Sequence, residues 1–139
     1  MEFSLRNFLI RSFAERDRLS LKNLWEGCSL IVHYNNPDQD IDFAVNSPNS
    51  KIFVGETGTA LIASVMVGHD GHRGWLYYLA VDKHYQQSGY GRAMVSAAEE
   101  WLKGERVRKS MLLIRDTNVS VEAFYRRLGY ETIPRTVMQ

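Results

Sequence analysis

The stretch from residue 51 to residue 81 constrains the fold most, because three apolar runs follow one another there with only short breaks. Thr57-Gly58 and Asp70-Gly71 separate the runs, and both pairs are typical of tight hairpin turns. Each run has the length and composition of a strand. We therefore predict a three-stranded antiparallel meander with strands at 51–56, 60–67 and 75–81.

The hydrophobic period changes after the meander. From Gly89 to about Gly104 apolar residues recur at helical spacing, and the run 111–114 predicts another strand. A strand, a helix and a strand in this order form a right-handed crossover, so 75–81 and 111–114 should be parallel. The remaining predicted elements are a strand at 8–13, a helix with the stripe Leu21, Leu24, Trp25 and Cys28, a helix over 38–46, a helix from Asn118 or Ser120 to Leu128 that Gly129 ends, and a last strand at 132–138.

These elements give the order β-α-α-β-β-β-α-β-α-β. Such an order predicts a mixed, mostly antiparallel sheet flanked by helices, an α/β (α+β) fold. The 139 residues contain no internal repeat or linker, so we expect a single domain over 1–139.

Composition excludes several classes of function. A net charge of +1 gives no electrostatic case for nucleic acid or an anionic membrane. No apolar stretch reaches the ~18 residues of a membrane span, and residues 1–13 lack the pattern of a signal peptide. The one cysteine, Cys28, cannot form an internal disulfide and fits a small buried group in a reducing compartment. We expect a cytoplasmic protein.

A glycine-bearing turn, Gln86-Gln87-Ser88-Gly89-Tyr90-Gly91-Arg92, lies between the third strand of the meander and the helix that follows it. The first amides of a helix have no backbone partner, and the helix dipole adds partial positive charge, so phosphate binds well there. Gly89 and Gly91 let the backbone approach a ligand, and Arg92 adds charge. The alternative is a plain strand-to-helix loop.

Two common nucleotide motifs fit this turn poorly. The dinucleotide fingerprint G-x-G-x-x-G needs a third glycine, and Met94 occupies that position. A P-loop needs Gly-Lys-Ser/Thr, which the turn lacks. A nucleotide-binding oxidoreductase is therefore disfavoured.

The same residues resemble the GNAT family of N-acetyltransferases. Residues 86–91 match the family motif Q/R-x-x-G-x-G/A, and Leu79-Ala80-Val81-Asp82 is similar to the strand that leads into it. Asn118, Tyr125 and Gly129-Tyr130 resemble the downstream signature N-x6-Y-x3-G-F/Y. Segment 69–74 and Asn36-Pro37 are similar to a small subgroup, the YpeA-like acetyltransferases.

The resemblance implies acetyl-CoA as cosubstrate. The amides from Gln87 to Arg92 would bind its pyrophosphate, and its pantetheine arm would pair with the backbone near Val81, where the strand bulges and splays. An N–H near Val81 would meet the oxyanion, and Tyr125 would protonate the leaving thiolate. The implied cofactor-binding residues are Leu79, Ala80, Val81, Gln86, Gln87, Ser88, Gly89, Tyr90, Gly91, Arg92 and Asn118.

Several roles stay open. Tyr125 also fits a core residue, and Asn118 a plain helix cap. Many family members place a glutamate on the strand before the turn, but 75–81 has no carboxylate, so we assign no general base; Tyr77 or Tyr78 relaying a proton through water is one option. The acceptor-side candidates are Tyr34, Asn36, Asp40 and Trp75. His69, Asp70 and His72 are too poor a ligand set for us to predict a metal.

The leading hypothesis is therefore transfer of an acetyl group from acetyl-CoA to a primary amine by direct attack on the thioester. The alternative is a catalytically weak CoA-binding sensor or interaction domain. The acceptor is a small-molecule or peptide amine, and the oligomeric state is open, with a homodimer among the options.

Overall fold

A computed structural model describes residues 7–139, so residues 1–6, on which part of the signal-peptide expectation rests, lie outside the described range. Within it, four α-helices flank one five-stranded sheet in which neighbouring strands follow chain order. The strands are β1 Phe8–Ser12, β2 Ser50–Thr57, β3 Ala60–His69, β4 Gly74–Val81 and β5 Ser110–Met111. The helices are α1 Arg18–Gly27, α2 Pro37–Val45, α3 Tyr90–Gly104 and α4 Val119–Arg127.

The predicted meander is confirmed: β2, β3 and β4 pair antiparallel, and β1 adds antiparallel to β2. Gly58 (φ 60°) and Gly71 (φ 87°) occupy the two hairpin turns in the left-handed conformation that glycine adopts without strain. β4 and β5 are parallel across the α3 crossover, as predicted. The mixed α/β fold is therefore the one that the sequence indicates.

The helices bury both faces of the sheet. α1 and α2 cover one face through Leu21, Trp25 and Ile41, none of which is exposed. α3 covers the other face through a stripe of four buried side chains, and α4 adds Tyr125 to the same cluster. Burial of these apolar stripes is the main term that holds each helix on the sheet. The α3 stripe consists of Met94, Val95, Ala98 and Leu102.

Two predictions about the C-terminal part are wrong. The strand predicted at 111–114 is reduced to Ser110–Met111, and the strand predicted at 132–138 is absent from the described structure. Pro134 has no N–H to give a ladder, and β5 is too short to template another strand. Residues 131–139 are exposed throughout, so burial does not favour a strand either.

No helix within residues 7–139 combines the length and the apolar character needed to cross a bilayer.

Candidate functional site

The parallel pair at the edge of the sheet separates after two residue pairs. Gly74 pairs with Ser110 and Trp75 with Met111, and the Gly74 N–H donates to the Lys109 carbonyl at 2.9 Å. β4 then continues to Val81, while no further β4–β5 pair forms within the described chain. The second half of β4 therefore has an open edge beside residues 112–115.

A bulge in β4 lies where this open edge begins. Tyr77 pairs with Met66 and Ala80 with Ser64, so Tyr78 and Leu79 together face the single residue Val65. Tyr78 has φ 52°, a left-handed conformation that is uncommon for a bulky residue. The extra residue reverses the alternation of faces: Leu76 packs with the α3 cluster, and Ala80 packs with the α1/α2 cluster.

The bulge also decides which backbone groups point into the gap. The Asp82 N–H donates to the Ile62 carbonyl at 2.8 Å, and hydrogen-bonded pairs alternate along an antiparallel ladder. Ala80 therefore directs its backbone groups to β3, and Val81 directs its own away from β3. Leu79, on the other side of Ala80, shares the direction of Val81. Of the three predicted strand residues, Leu79 and Val81 offer backbone to the gap.

The chain itself holds the Val81 carbonyl. The Gln86 side-chain amide donates to it at 2.9 Å, and the Cys28 thiol at 3.3 Å. Burial raises the pKa of the Cys28 thiol, which disfavours a thiolate. Gln86, predicted as a cofactor ligand, thus supports the end of β4 with its side chain, and Cys28 is a half-buried thiol donor.

The turn before α3 exposes the first amides of that helix. Gly89 precedes α3 with φ 89°, and no side chain caps the helix start. Gln87 is also left-handed, with φ 62°, and Ser88 donates to the Gln86 carbonyl at 3.4 Å. Arg92 is exposed and makes no ion pair with the residues at 7–139. This geometry suits an anion at the positive end of a helix of 15 residues.

The sequence predicted that Gly91 lets a ligand approach the backbone, but in the structure the nearest group to this position is the Phe124 ring. A Cβ at this position would lie 3.2 Å from Cζ of Phe124 and 3.8 Å from Cγ2 of Val81. The missing side chain therefore makes room for α4 against α3, rather than for a ligand. Gly89 is the glycine required by backbone conformation, and Gly91 is the glycine required by packing.

Tyr125 lies on the buried face of α4 and joins the apolar cluster between the sheet and α3. Only 6% of the residue is exposed, and its ring meets that of Tyr130 edge to face at 5.4 Å. Among residues 7–139 no group hydrogen-bonds its hydroxyl. Burial raises the pKa of the Tyr125 phenol, and Tyr130 adds to the shift, so the hydroxyl stays protonated at neutral pH.

Tyr130 is held on the α3 side of the sheet edge. Its hydroxyl donates to Oε2 of Glu99 at 2.9 Å and lies 2.6 Å from Oγ of Ser110 in β5. Burial raises the pKa of the Tyr130 phenol to about 12, and the Glu99 carboxylate contributes in the same direction. Tyr130 therefore connects α3, β5 and the end of α4 below Tyr125.

Asn118 caps α4, which is one of the two roles left open for it. Its side-chain oxygen accepts from the Val121 N–H at 3.4 Å and from the Ser120 hydroxyl at 3.4 Å. Gly129, with φ 96°, follows the other end of the helix, as predicted. The side-chain NH₂ of Asn118 is not engaged by other residues of the described chain and is exposed.

The acceptor-side candidates occupy the α1/α2 side of β4. Tyr78 donates to Oδ2 of Asp40 at 2.6 Å, and its ring stacks on Trp25 at 3.8 Å. Trp75 stacks on the exposed Tyr77 at 6.5 Å. Burial raises the pKa of both Tyr77 and Tyr78, with Asp70 and Asp40 respectively as further causes.

The other two candidates lie at the entrance to this side. Tyr34 is 66% exposed, and its hydroxyl accepts from the Arg115 guanidinium at 3.1 Å. That bond joins the α1–α2 loop to the loop before α4. Asn36 caps α2, since its side chain accepts from the Gln39 N–H at 3.2 Å.

Sequence reasoning missed Ser64, the buried group that holds the bulge. Its hydroxyl accepts from the Trp25 indole N–H at 2.9 Å and donates to the Tyr78 carbonyl at 2.9 Å, and the residue is fully buried. A single polar residue inside the apolar run of β3 is the signal that points to it, because a buried hydroxyl needs partners.

The hairpin between β3 and β4 brings no metal site together. Asp70 accepts from the backbone N–H groups of His72 and Arg73, at 2.9 Å and 2.8 Å, which is the turn-forming role expected of it. His69 instead contacts Glu105 at 3.3 Å. Within residues 7–139 no group of three or more histidine, cysteine, aspartate or glutamate side chains is placed to hold a metal ion.

Comparison with known proteins agrees with this geometry. Residues 13–130 match the model of the acetyltransferase (GNAT) family. An acetyltransferase of Yersinia enterocolitica is 36% identical over 123 residues, which is 88% of this chain and 87% of the relative.

Solved structures share the fold at low identity. An aminoglycoside N-acetyltransferase in complex with a bisubstrate analogue that contains CoA has a TM-score of 0.83 at 13% identity, covering 95% of this chain and 96% of that one. An aminoglycoside acetyltransferase from an uncultured soil metagenomic sample has a TM-score of 0.79 at 18% identity, covering 98% and 97%.

Proposed function

Because the chain belongs to the acetyltransferase (GNAT) family and is an acetyl-CoA-dependent acyltransferase, we propose that it transfers the acetyl group of acetyl-CoA to a primary amine by direct attack on the thioester. The observation that carries the proposal is the open edge in the second half of β4, where the parallel pair has separated. The whole chain acts as one acetyl-CoA-binding domain in this proposal, with a cytoplasmic location.

The pyrophosphate is bound at the start of α3. The turn from Gln87 to Arg92 presents backbone amides at the positive end of the helix, and Arg92 has no carboxylate partner among residues 7–139 to neutralise it. Gly89 supplies the left-handed conformation that turns these amides outward. Helix dipole and uncapped amides together favour a diphosphate over water.

The pantetheine arm lies along the open edge of β4 and pairs with its backbone as an added strand. Leu79 and Val81 offer backbone groups in that direction, whereas Ala80 is engaged by β3. Gln86 and Cys28 hold the Val81 carbonyl, which keeps the Val81 N–H oriented towards the gap. The exposed NH₂ of Asn118 reaches the same arm.

The chemistry is aminolysis of a thioester. The neutral amine attacks the carbonyl carbon, the C–N bond forms, and the carbonyl oxygen gains negative charge that the Val81 N–H stabilises. The C–S bond then breaks, the thiolate leaves, and Tyr125 gives its proton to the sulfur. The amine proton passes to solvent, and the phenolate of Tyr125 is reprotonated from there. Burial raises the pKa of Tyr125, so its protonated form is ready at neutral pH.

One observation favours the alternative function, a CoA-binding sensor without turnover. β4 carries no carboxylate, and its side chains reach Asp40 through Tyr78 and the hairpin residue Asp70 through Trp75. An amine that is partly neutral at working pH, such as an α-amino group with a pKa of about 8, needs little help from a base. Turnover decides between the two functions.

The test combines CoA binding with thiol release. Calorimetry with CoA measures binding, and thiol release from acetyl-CoA across a panel of primary amines measures transfer. Ser88→Glu places a negative charge at the proposed pyrophosphate site and should weaken CoA binding at least about tenfold. Ser96→Glu adds the same charge to an exposed position inside α3 and should leave CoA affinity nearly unchanged.

Each outcome has a clear reading. Binding with thiol release supports the acetyltransferase, and binding without release from any amine supports the sensor. Equal CoA affinity in Ser88→Glu and the wild type would remove the proposed pyrophosphate site.

A further inference from the structure

One carboxylate on α2 lacks the cationic partners that its neighbours have. Asp38 pairs with Arg18 at 3.1 Å and with Lys22 at 2.8 Å, and Asp42 pairs with Arg18 at 2.6 Å. Asp40 makes no ion pair with the described residues. Residues 38 and 42 share the helix face that meets α1, and residue 40 lies on the face turned towards β4.

Asp40 is instead held by a neutral donor. The Tyr78 hydroxyl donates to Oδ2 at 2.6 Å, and the Tyr78 ring is fixed by its stack on Trp25 and by the bulge, whose carbonyl accepts from Ser64. Oδ1 of Asp40 makes no hydrogen bond with a residue of the described chain. Asp40 therefore keeps an acceptor oxygen that the residues at 7–139 leave available.

Further aromatic side chains are exposed elsewhere on the α1/α2 side of β4. Tyr77 is 44% exposed and stacks with Trp75, and Tyr34 is exposed at the end of the α1–α2 loop. At Asp40 itself the aromatic group is Tyr78, and a carboxylate next to an aromatic ring is a favourable environment for an organic ammonium group. Tyr78 is directly followed by Leu79, so this environment adjoins the open edge of β4.

The charge of Asp40 argues against a contact with the amine that reacts. A carboxylate beside an ammonium raises the pKa of that ammonium and holds it protonated, and a protonated amine cannot attack the thioester. The same contact benefits a cationic group that does not react. Tyr78, which holds Asp40, and Val81 are three residues apart in the second half of β4, so an acceptor with a few carbons between two amines would let one ammonium group contact Asp40 while the other amine attacks the thioester.

We propose that Asp40, oriented by Tyr78, binds a second, non-reacting cationic group of the acceptor, and that the acceptor is therefore a di- or polycationic amine. This inference rests on the proposed acetyl transfer and names its substrate class. Asp40 is a specificity residue in this reading, and Tyr78 is a positioning residue.

The experiment compares matched acceptors on matched variants. The acceptors are linear diamines of four and six carbons and the amino alcohols of the same lengths, which carry one amine and a neutral end. Wild type, Asp40→Asn and Asp42→Asn are assayed by thiol release from acetyl-CoA and by calorimetry with each acceptor in the presence of CoA. Asp42→Asn removes a carboxylate from the same helix and serves as the control.

Wild type and Asp42→Asn should favour the diamine over the amino alcohol by roughly 10- to 100-fold in kcat/KM or affinity, the range of a hydrogen bond to a charged group. Asp40→Asn should abolish this preference by weakening the diamine alone. Tyr78→Phe keeps the ring stack and should lower the preference part of the way.

If the hydrogen bond between Asp40 and Tyr78 only holds α2 against β4, the variants should behave differently. Asp40→Asn would then weaken both acceptors equally or neither, and that result overturns the proposal. A wild type that binds the diamine no better than the amino alcohol also overturns it. If the protein neither binds CoA nor releases thiol with any amine, the proposed function is rejected. Calorimetry with the diamine in the absence of CoA then still tests whether Asp40 binds a cationic group.

Discussion

The two halves of β4 differ in how their backbone is used: the first half is paired within the sheet, and the second half borders the proposed site. Residues 74–77 are paired to β3 on one side and begin paired to β5 on the other, whereas residues 78–81 are bulged and have one open edge. In the first half the ladders and the packing occupy the backbone. In the second half, the backbone groups of Leu79 and the N–H of Val81 are not used by β3, so the proposed ligand site coincides with the irregular half.

The supports of the two halves differ in kind. Gly74 is enclosed by Leu102 and the Lys109 carbonyl, an apolar and backbone environment. The second half is held by side-chain hydrogen bonds from Ser64 and Gln86 and by the Cys28 thiol. A close-packed half should therefore respond to added volume, and a hydrogen-bonded half should respond to lost polar atoms.

The largest expected effect is on the chemistry beside the open half. Tyr125→Phe removes the proposed proton donor and should lower kcat by about 100-fold or more, while CoA affinity and stability stay near wild type, because the lost hydroxyl has no partner in the described chain. Because burial raises the pKa of Tyr125, its ionisation should not limit the wild-type rate below a pH of about 10. Stopped-flow thiol release and calorimetry give the two numbers.

Tyr85→Phe is the matched control, since Tyr85 is a partly buried tyrosine near the turn and has no assigned role. If Tyr125→Phe kept full turnover, the open half of β4 would lose its proposed acid, and Tyr125 would be a core residue.

The next effect tests the closed half. Gly74→Ala introduces a Cβ that would lie 2.6 Å from Cδ1 of Leu102 and 2.8 Å from the Lys109 carbonyl oxygen. Overpacking of this kind should lower the free energy of unfolding by about 2–3 kcal/mol, with CoA affinity of the folded protein within about twofold of wild type. Urea denaturation and calorimetry measure the two quantities.

Gly104→Ala provides the comparison for Gly74→Ala, because a Cβ there meets no atom within 4 Å. It should be neutral or slightly stabilising, by up to about 1 kcal/mol. A larger loss of CoA affinity than of stability in Gly74→Ala would show that the two halves of β4 are not independent.

The smallest effect sharpens the boundary between the halves. Ser64→Ala leaves the buried Trp25 indole N–H without its acceptor and the Tyr78 carbonyl without its donor, which should cost about 1–2 kcal/mol of unfolding free energy. Because the bulge loosens, KM for the amine should rise as well. Ser96→Ala, at an exposed position, is the control, and an unchanged KM in Ser64→Ala would mean that the bulge needs no hydroxyl.

The fold was predictable where local signals agree with burial. The two hairpin glycines, the Asn118 cap and the Gly129 stop act within a few residues of themselves, and each is found as expected. The strand predicted at 132–138 is wrong because a strand also needs a partner edge, and no local pattern reveals that β5 ends at Met111. Strand propensity without a partner does not hold a ladder.

The site residues stay a prediction, and the structure adds where each of them lies and what it contacts. Two motifs pointed to the turn at 86–92, which lies between β4 and the first turn of α3, and to Tyr125, which lies in the buried cluster on the α3 side of the sheet. Their details depend on contacts between distant residues. Gly91 faces Phe124, and Gln86 supports Val81, and neither relation follows from the spacing of the motif. Ser64, 14 residues before Tyr78, was missed for the same reason.

The contact between Gly91 and Phe124 has a further consequence under the proposed roles. It fastens the first turn of α3, where the diphosphate binds, to the residue next to Tyr125, where the sulfur departs. The distance between the proposed diphosphate site and Tyr125 is then fixed by the packing of α4 against α3. A thioester carrier must have an arm whose length matches this distance. Carriers that bear the same acetyl group on a shorter or longer arm would be rejected by reach alone, before any chemistry begins.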